Sequence, residues 1–119
     1  MSKTLVIGAT EKTDRYAYRA VEQLLHHNHQ VVAIGHKAGE VLGVKIQTGM
    51  PELKDIDTVT LYVGPANQVS YYDYILSLKP RRVVFNPGTE NPEFEKRVEE
   101  AGIIAQEACT LVMLSIGNY

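Results

Sequence analysis

With one cysteine in 119 residues, Cys109, the chain has no means of forming an internal disulfide or a multi-cysteine metal site, which fits a reducing compartment. No apolar run approaches the ~18 residues a membrane-spanning helix needs. The apolar stretch in "MSKTLVIGAT" is too short for a signal-peptide core. These shortages point to a cytoplasmic protein. Neither sign of charge is in excess: 12 basic and 14 acidic residues give a net charge of −2. No overall field therefore draws DNA, RNA or an anionic membrane surface. Repeats and low-complexity segments are missing too. What is present, 45% hydrophobic and 22% charged residues, suits a single compact domain over 1–119.

Five short runs rich in β-branched residues, at 4–7, 31–34, 58–63, 83–85 and 103–105, read as strands buried on both faces. Between the first two, Ala17, Ala20, Val21, Leu24 and Leu25 recur with the period of one helical face. A second helix is predicted over 67–78, with Val69, Tyr72, Ile75 and Leu76 inward and Lys79-Pro80 ending it. A third begins at Asn91, a capping residue, with Pro92 at the first helical position and Glu93 and Glu95 complementing the dipole; Gly102 ends it. Residues 36–57 are the least regular, expected as a short extended piece and then one helical turn from Pro51.

Strands alternating with helices imply right-handed crossovers, and hence an α/β, three-layer Rossmann-like fold with a five-stranded parallel sheet. Ligands in such folds sit beyond the carboxyl ends of the strands, where strand order reverses. The loops beginning at Gly8, Gly35, Gly64 and Asn86 are therefore the ones to inspect.

The stretch "LVIGATEKTDRYAYRA" (5–20) reads as a strand, a glycine turn and a helix start, an arrangement that presents backbone N–H groups to a phosphate. Of the dinucleotide pattern G-x-G-x-x-G only Gly8 is matched, since Thr10 and Thr13 occupy the other glycine positions. The Walker pattern fails at Thr13 and Asp14, and no carboxylate cluster follows the first strand as a receiver domain would need. What is left is a small-residue phosphate loop with a hydroxyl at Thr10 and a cation at Arg15. A cation beside a helix start opposes the macrodipole unless an anion lies between them; a solvated surface arginine is the alternative. Where NAD-binding folds place an acidic residue for the ribose, this chain has His36 and Lys37. That sign suits NADP and coenzyme A alike, and equally a solvated loop.

The ordered set "VIGAT", the arginine and tyrosines at the helix start, "HKAGEVLG", "VVFNPGTENPEFEKRVEEAGI" and "EAC" resembles the small stand-alone CoA-binding proteins of bacteria. These are related to the nucleotide-binding domain of the succinyl-CoA synthetase alpha subunit. The resemblance covers nearly the whole chain. It implies a ligand, coenzyme A or an acyl-CoA, with Gly8, Ala9, Thr10 and Arg15 at the pyrophosphate and Lys37 with His36 at the adenosine phosphate. It further implies Val63, Gly64 and Pro65 on the adenine side and Asn86, Pro87, Gly88 and Thr89 toward the pantetheine arm. The chain departs from that family at Gly35-His36, where Asn-Pro is usual, and at Asn86, where glutamine is usual. At Glu107-Ala108-Cys109 the family has Asp-Arg-Cys, so a cation is lost.

No catalytic set emerges from the remaining residues. Cys109 has no basic neighbour in sequence and reads as a small packed hydrophobe, with a thiol nucleophile or a mixed-disulfide partner for CoA as the alternative. Adjacent histidines in "HHNH" point about 100° apart on a helix, which disfavours a metal site. In "SYYDY", Tyr71 and Tyr74 read as amphipathic packing or, alternatively, as a homodimer surface. Glu90 and Glu93 suit a helix start. The expectation is a non-catalytic binding module; the alternative is an NADP-dependent oxidoreductase or a component of a CoA-using transferase.

Overall fold

The computed structural model describes residues 3–119. Seven strands form one sheet: β1 (Lys3–Ile7), β2 (Gln30–Ile34), β3 (Gly39–Val41), β4 (Val44–Gln47), β5 (Thr58–Leu61), β6 (Arg82–Phe85) and β7 (Ile104–Glu107). Their order is β3-β4-β2-β1-β5-β6-β7, and every pairing is parallel except β3 with β4. The fold is thus Rossmann-like, with seven strands where five were expected. The two additional strands come from residues 36–57. Leu42 (φ 49°) and Gly43 (φ 88°) both take the left-handed region, the signature of a two-residue type I′ hairpin turn. A leucine there carries none of the usual Asn-Gly signal, so the hairpin escapes a reading by turn residues.

The helix α1 (Tyr16–His26) buries Ala17, Ala20, Val21 and Leu24, as its periodicity predicts. It packs on one face of the sheet with Val6, Ala33 and Ile46, alongside Leu114 of α5 (Thr110–Ser115), a helix that the sequence reading does not foresee. The other face is covered by α3 (Tyr72–Leu78) and α4 (Pro92–Glu100), which enclose Ile7, Val59, Leu61 and Phe85. Within that layer Tyr72 stacks on Phe94 with ring centroids 4.3 Å apart. Asn91 caps α4 as expected, its side chain accepting from the Phe94 N–H at 3.2 Å.

Two local expectations are corrected. The helix expected over 67–78 is broken: α2 (Pro65–Gln68) passes into one 3₁₀ turn (Val69–Tyr71) before α3. At the break Gln68 turns fully inward, and Val69, expected in the core, faces solvent. Nor is there a helical turn from Pro51; residues 51–57 run without regular structure. That segment is fastened by Tyr74, whose hydroxyl donates to the Pro51 carbonyl at 2.6 Å, so Tyr74 is committed within the chain.

At the amino ends of the strands, Arg82 is buried. It donates to the Thr58 hydroxyl at 3.0 Å and lies 4.3 Å from the centre of the Tyr119 ring. At the opposite end the chain leaves β1 toward β2 on one side, while β5 lies on the other, which opens a crevice between the loops after β1 and β5.

Candidate functional site

The loop after β1 is held tightly before any ligand arrives. Gly8 has φ +98°, and a Cβ there would sit 2.8 Å from the Tyr62 carbonyl oxygen. Both the Gly8 and Ala9 amides donate to the Ile34 carbonyl at 2.9 Å. The N–H groups expected to face a phosphate at these two positions are therefore engaged by the neighbouring strand, so their role is to shape the turn. Gly35 matters for the same reason, because a Cβ there would run into the Ala9 carbonyl oxygen. The Glu11 carboxylate accepts from the Glu40 N–H at 2.9 Å, which ties the loop to β3 and turns its negative charge aside. Thr10 Oγ1 accepts from the Lys12 N–H at 3.2 Å.

Beyond this turn α1 starts without a side-chain cap or an acidic residue in its first turn, and Arg15 occupies the cap position. The uncompensated positive end of the helix favours an anion. It opens into a cavity of about 400 Å³ lined by Gly8, Thr10, Lys12, Arg15, Tyr16, Ala17, Tyr62, Gly64, Pro87, Gly88 and Thr89. A second cavity, about 370 Å³, runs from Gly8 through Lys12 to His36, Lys37 and Ala38. A third, about 520 Å³, lies between Gly8, His36 and Val63 and the residues Ala66, Asn67, Val69, Ser70 and Tyr71. A fourth, about 400 Å³, is formed by Tyr16, Tyr62, Asn86, Pro87, Cys109, Leu111 and Val112.

Shared walls join these cavities into one groove along the carboxyl edge of the sheet. Gly8 borders the first three, and Tyr16, Tyr62 and Pro87 border both the first and the fourth. Charge is divided along it. Lys12, Arg15, His36 and Lys37 line the first three cavities, with one carboxylate, Glu11, among them in the second, while the fourth has no charged residue in its wall.

Gly8, Ala9, Thr10, Arg15, His36, Lys37, Val63, Gly64, Pro87, Gly88 and Thr89 all border this groove. Pro65 starts α2 and lines none of the four cavities. Asn86 borders the fourth, yet its polar atoms are committed inward. Its amide donates to Thr60 Oγ1 at 2.6 Å and the Leu61 carbonyl at 2.9 Å, and its Oδ1 accepts from the Thr110 N–H at 2.8 Å. Thr89 Oγ1 likewise donates to the Asn86 carbonyl at 2.8 Å. Both residues shape the loop after β6 more than they offer polar atoms to a ligand.

Two contributors escape the sequence reading. Lys12 borders two cavities, but in "TEKTDR" nothing separates it from a solvated lysine. Gln68 is fully buried, donates to the Val63 carbonyl at 3.0 Å and the Thr89 carbonyl at 2.7 Å, and accepts from Asn91 Nδ2 at 2.9 Å. It clamps the loops after β5 and β6 together. A glutamine inside an amphipathic helical pattern reads as solvent-facing, so only the tertiary structure identifies it. Near the groove's uncharged end the Tyr62 hydroxyl is buried beside the Thr60 and Thr110 hydroxyls, which bond each other at 2.8 Å. Burial raises the Tyr62 pKa well above its ordinary value, so the phenol is neutral.

A family model described as CoA binding domain matches residues 2–115. Among solved structures, the crystal structure of an uncharacterized protein is 55% identical, with a TM-score of 0.97, covering 100% of this chain and 98% of that one. A hypothetical protein from Pyrococcus horikoshii OT3 is 28% identical, with a TM-score of 0.88, covering 97% of this chain and 82% of the other. A Thermus thermophilus protein, cell-free ID.343, shares the fold at 23% identity and a TM-score of 0.86, covering 99% and 90%. No curated protein matches at a significant level.

Proposed function

The chain belongs to the CoA-binding domain family, and from that premise we propose that its groove holds coenzyme A or an acyl-CoA as a non-catalytic binding module. The observation that carries this reading is the division of charge along one continuous groove. Coenzyme A is itself divided, with a diphosphate and a ribose phosphate at one end and an uncharged arm ending in a thiol at the other. In this reading the diphosphate sits at the start of α1, held by Arg15, Lys12 and Thr10 on the turn that Gly8 and Ala9 shape. His36 and Lys37 meet the ribose phosphate. Val63 and Gly64 border the adenine, without Pro65, and the arm passes Asn86, Pro87, Gly88 and Thr89.

A thermal-shift series with CoA, dephospho-CoA, NADP and NAD tests this. CoA is expected to stabilise most, because a ligand bound only by the native state at ~100 times its dissociation constant adds about 2.7 kcal/mol. Equal shifts for all four, or none, would reject it. The single cysteine and the balanced charge support the same picture of a cytoplasmic protein acting on a small-molecule nucleotide, without nucleic acid or membrane as partner. No helix among the described residues is long and apolar enough to cross a membrane.

A further inference from the structure

We propose that the uncharged cavity beside Cys109 receives the acyl group of a short-chain acyl thioester of coenzyme A, making such a thioester, not the free thiol, the preferred ligand. This rests on the reading of the groove given above. The cavity adjoins the phosphate-end cavity through Tyr16, Tyr62 and Pro87, so a ligand whose diphosphate lies at Arg15 extends its other end into it.

The wall there suits a hydrocarbon. Pro87, Leu111 and Val112 supply apolar surface, and Cys109 adds a polarizable thiol. The polar members present little to a ligand. The Asn86 amide is taken up by Thr60, Leu61 and Thr110, and the Tyr62 hydroxyl is buried, so its ring is what faces the cavity. Two apolar side chains of this wall stand largely in solvent in the free protein: Tyr16 is 67% exposed and Val112 54%. An acyl chain would cover them and gain the burial, whereas a bare thiol would leave them wet. Size sets the limit. At about 400 Å³ the cavity lies toward the small end of ligand pockets, which run about 300–1,000 Å³, and it must also take the end of the pantetheine arm. Room remains for a few carbons.

Isothermal titration of the full chain with CoA, acetyl-CoA, butyryl-CoA, octanoyl-CoA and palmitoyl-CoA tests the proposal. Affinity should rise about fourfold per added methylene from acetyl to butyryl, the factor for burying one methylene group. It should stop rising by octanoyl. Val112→Asp, at an exposed position, should bring the ratio of butyryl-CoA to CoA affinity close to one, and Leu111→Ala should reduce it severalfold. If CoA binds but the acyl series is flat, or favours the free thiol, the acyl site is wrong while the groove reading stands. A rise that continues through palmitoyl overturns the short-chain limit. If no member of the series binds, the groove reading fails and the acyl site with it.

Discussion

The Gln68 side-chain amide donates to the Thr89 carbonyl oxygen at 2.7 Å, joining the end of α2 to the loop after β6, 21 residues further along the chain, behind the groove wall. The same side chain bonds the Val63 carbonyl and Asn91, so its loss leaves several buried polar atoms without partners. Gln68→Leu is expected to destabilise the fold by about 2–4 kcal/mol, since each orphaned buried group costs about 1–3 kcal/mol. Urea unfolding measures this. A variant as stable as the parent would show that the clamp carries no weight.

Of the two glycines after β1 and β5, only the first should be sensitive to an added methyl group. Gly8→Ala meets the Tyr62 carbonyl and forces a left-handed φ on alanine, so a loss of about 2–4 kcal/mol is expected with no ligand present. Gly64 has an ordinary φ of −69° and open space around its Cα, so Gly64→Ala should remain within about 0.5 kcal/mol of the parent. Thermal unfolding of both variants without ligand decides whether Gly8 is required by the fold before any binding.

Arg15 is exposed and makes no capping bond at the α1 start, so removing it should leave the fold intact. Binding is where it should count. Arg15→Ala is expected to weaken CoA by about 1.5–3 kcal/mol, the range for a hydrogen bond to a charged group. Lys37→Ala should instead narrow the gap between CoA and dephospho-CoA. Calorimetry that found both variants equal to the parent would remove these residues from the phosphate sites.

Acid should destabilise the protein in two separate windows. Burial, with the His27 and Arg82 charges nearby, holds His29 below its ordinary 6.5, so the unfolded chain binds its proton first. The stability from neutral His29 is present above pH 6.5 and is lost as pH falls through the lower folded value. Asp57 is held below its ordinary 3.8 chiefly by the hydrogen-bonded Arg81 guanidinium, its contact 3.0 Å long. Its contribution is present above pH 3.8 and is lost as pH falls through the folded value. Denaturation midpoints between pH 8 and 2 should show both declines. His29→Gln should flatten the upper one, and an unchanged slope in that variant would assign the titration elsewhere.

Much of the scaffold is legible in the chain because it rests on local or strongly periodic patterns. The apolar face of α1 needs only the spacing of Ala17, Ala20, Val21 and Leu24, and the start of α4 needs only Asn91-Pro92. The β-branched runs mark all five strands, but only β5 and β6 are buried throughout; the edge strand β7 has Ile104 half exposed, because no strand flanks it on its outer side. From these follow the alternating α/β order, the Rossmann-like class and the loops at the carboxyl edge. The family resemblance likewise rests on an ordered series of short motifs.

Other features depend on groups that meet only in space. The β3–β4 hairpin adds two strands through a Leu42-Gly43 turn, which the antiparallel pairing holds in the left-handed region without the usual turn residues. Gln68 faces inward because it joins the Val63 carbonyl, five residues before it, to the Thr89 carbonyl, 21 residues after it, and the second partner is visible only in space. The Gly8 and Ala9 amides bond Ile34 because β2 lies beside β1, which moves the anion-facing role from the turn itself to the start of α1 and the cations around it. The sequence by itself thus determined the class of fold and the edge that carries the groove, since periodicity and turn chemistry act over a few residues. Which atoms remain free to meet a ligand was decided only by the tertiary structure, because a hydrogen-bonding group is spent or left open by neighbours distant in the chain.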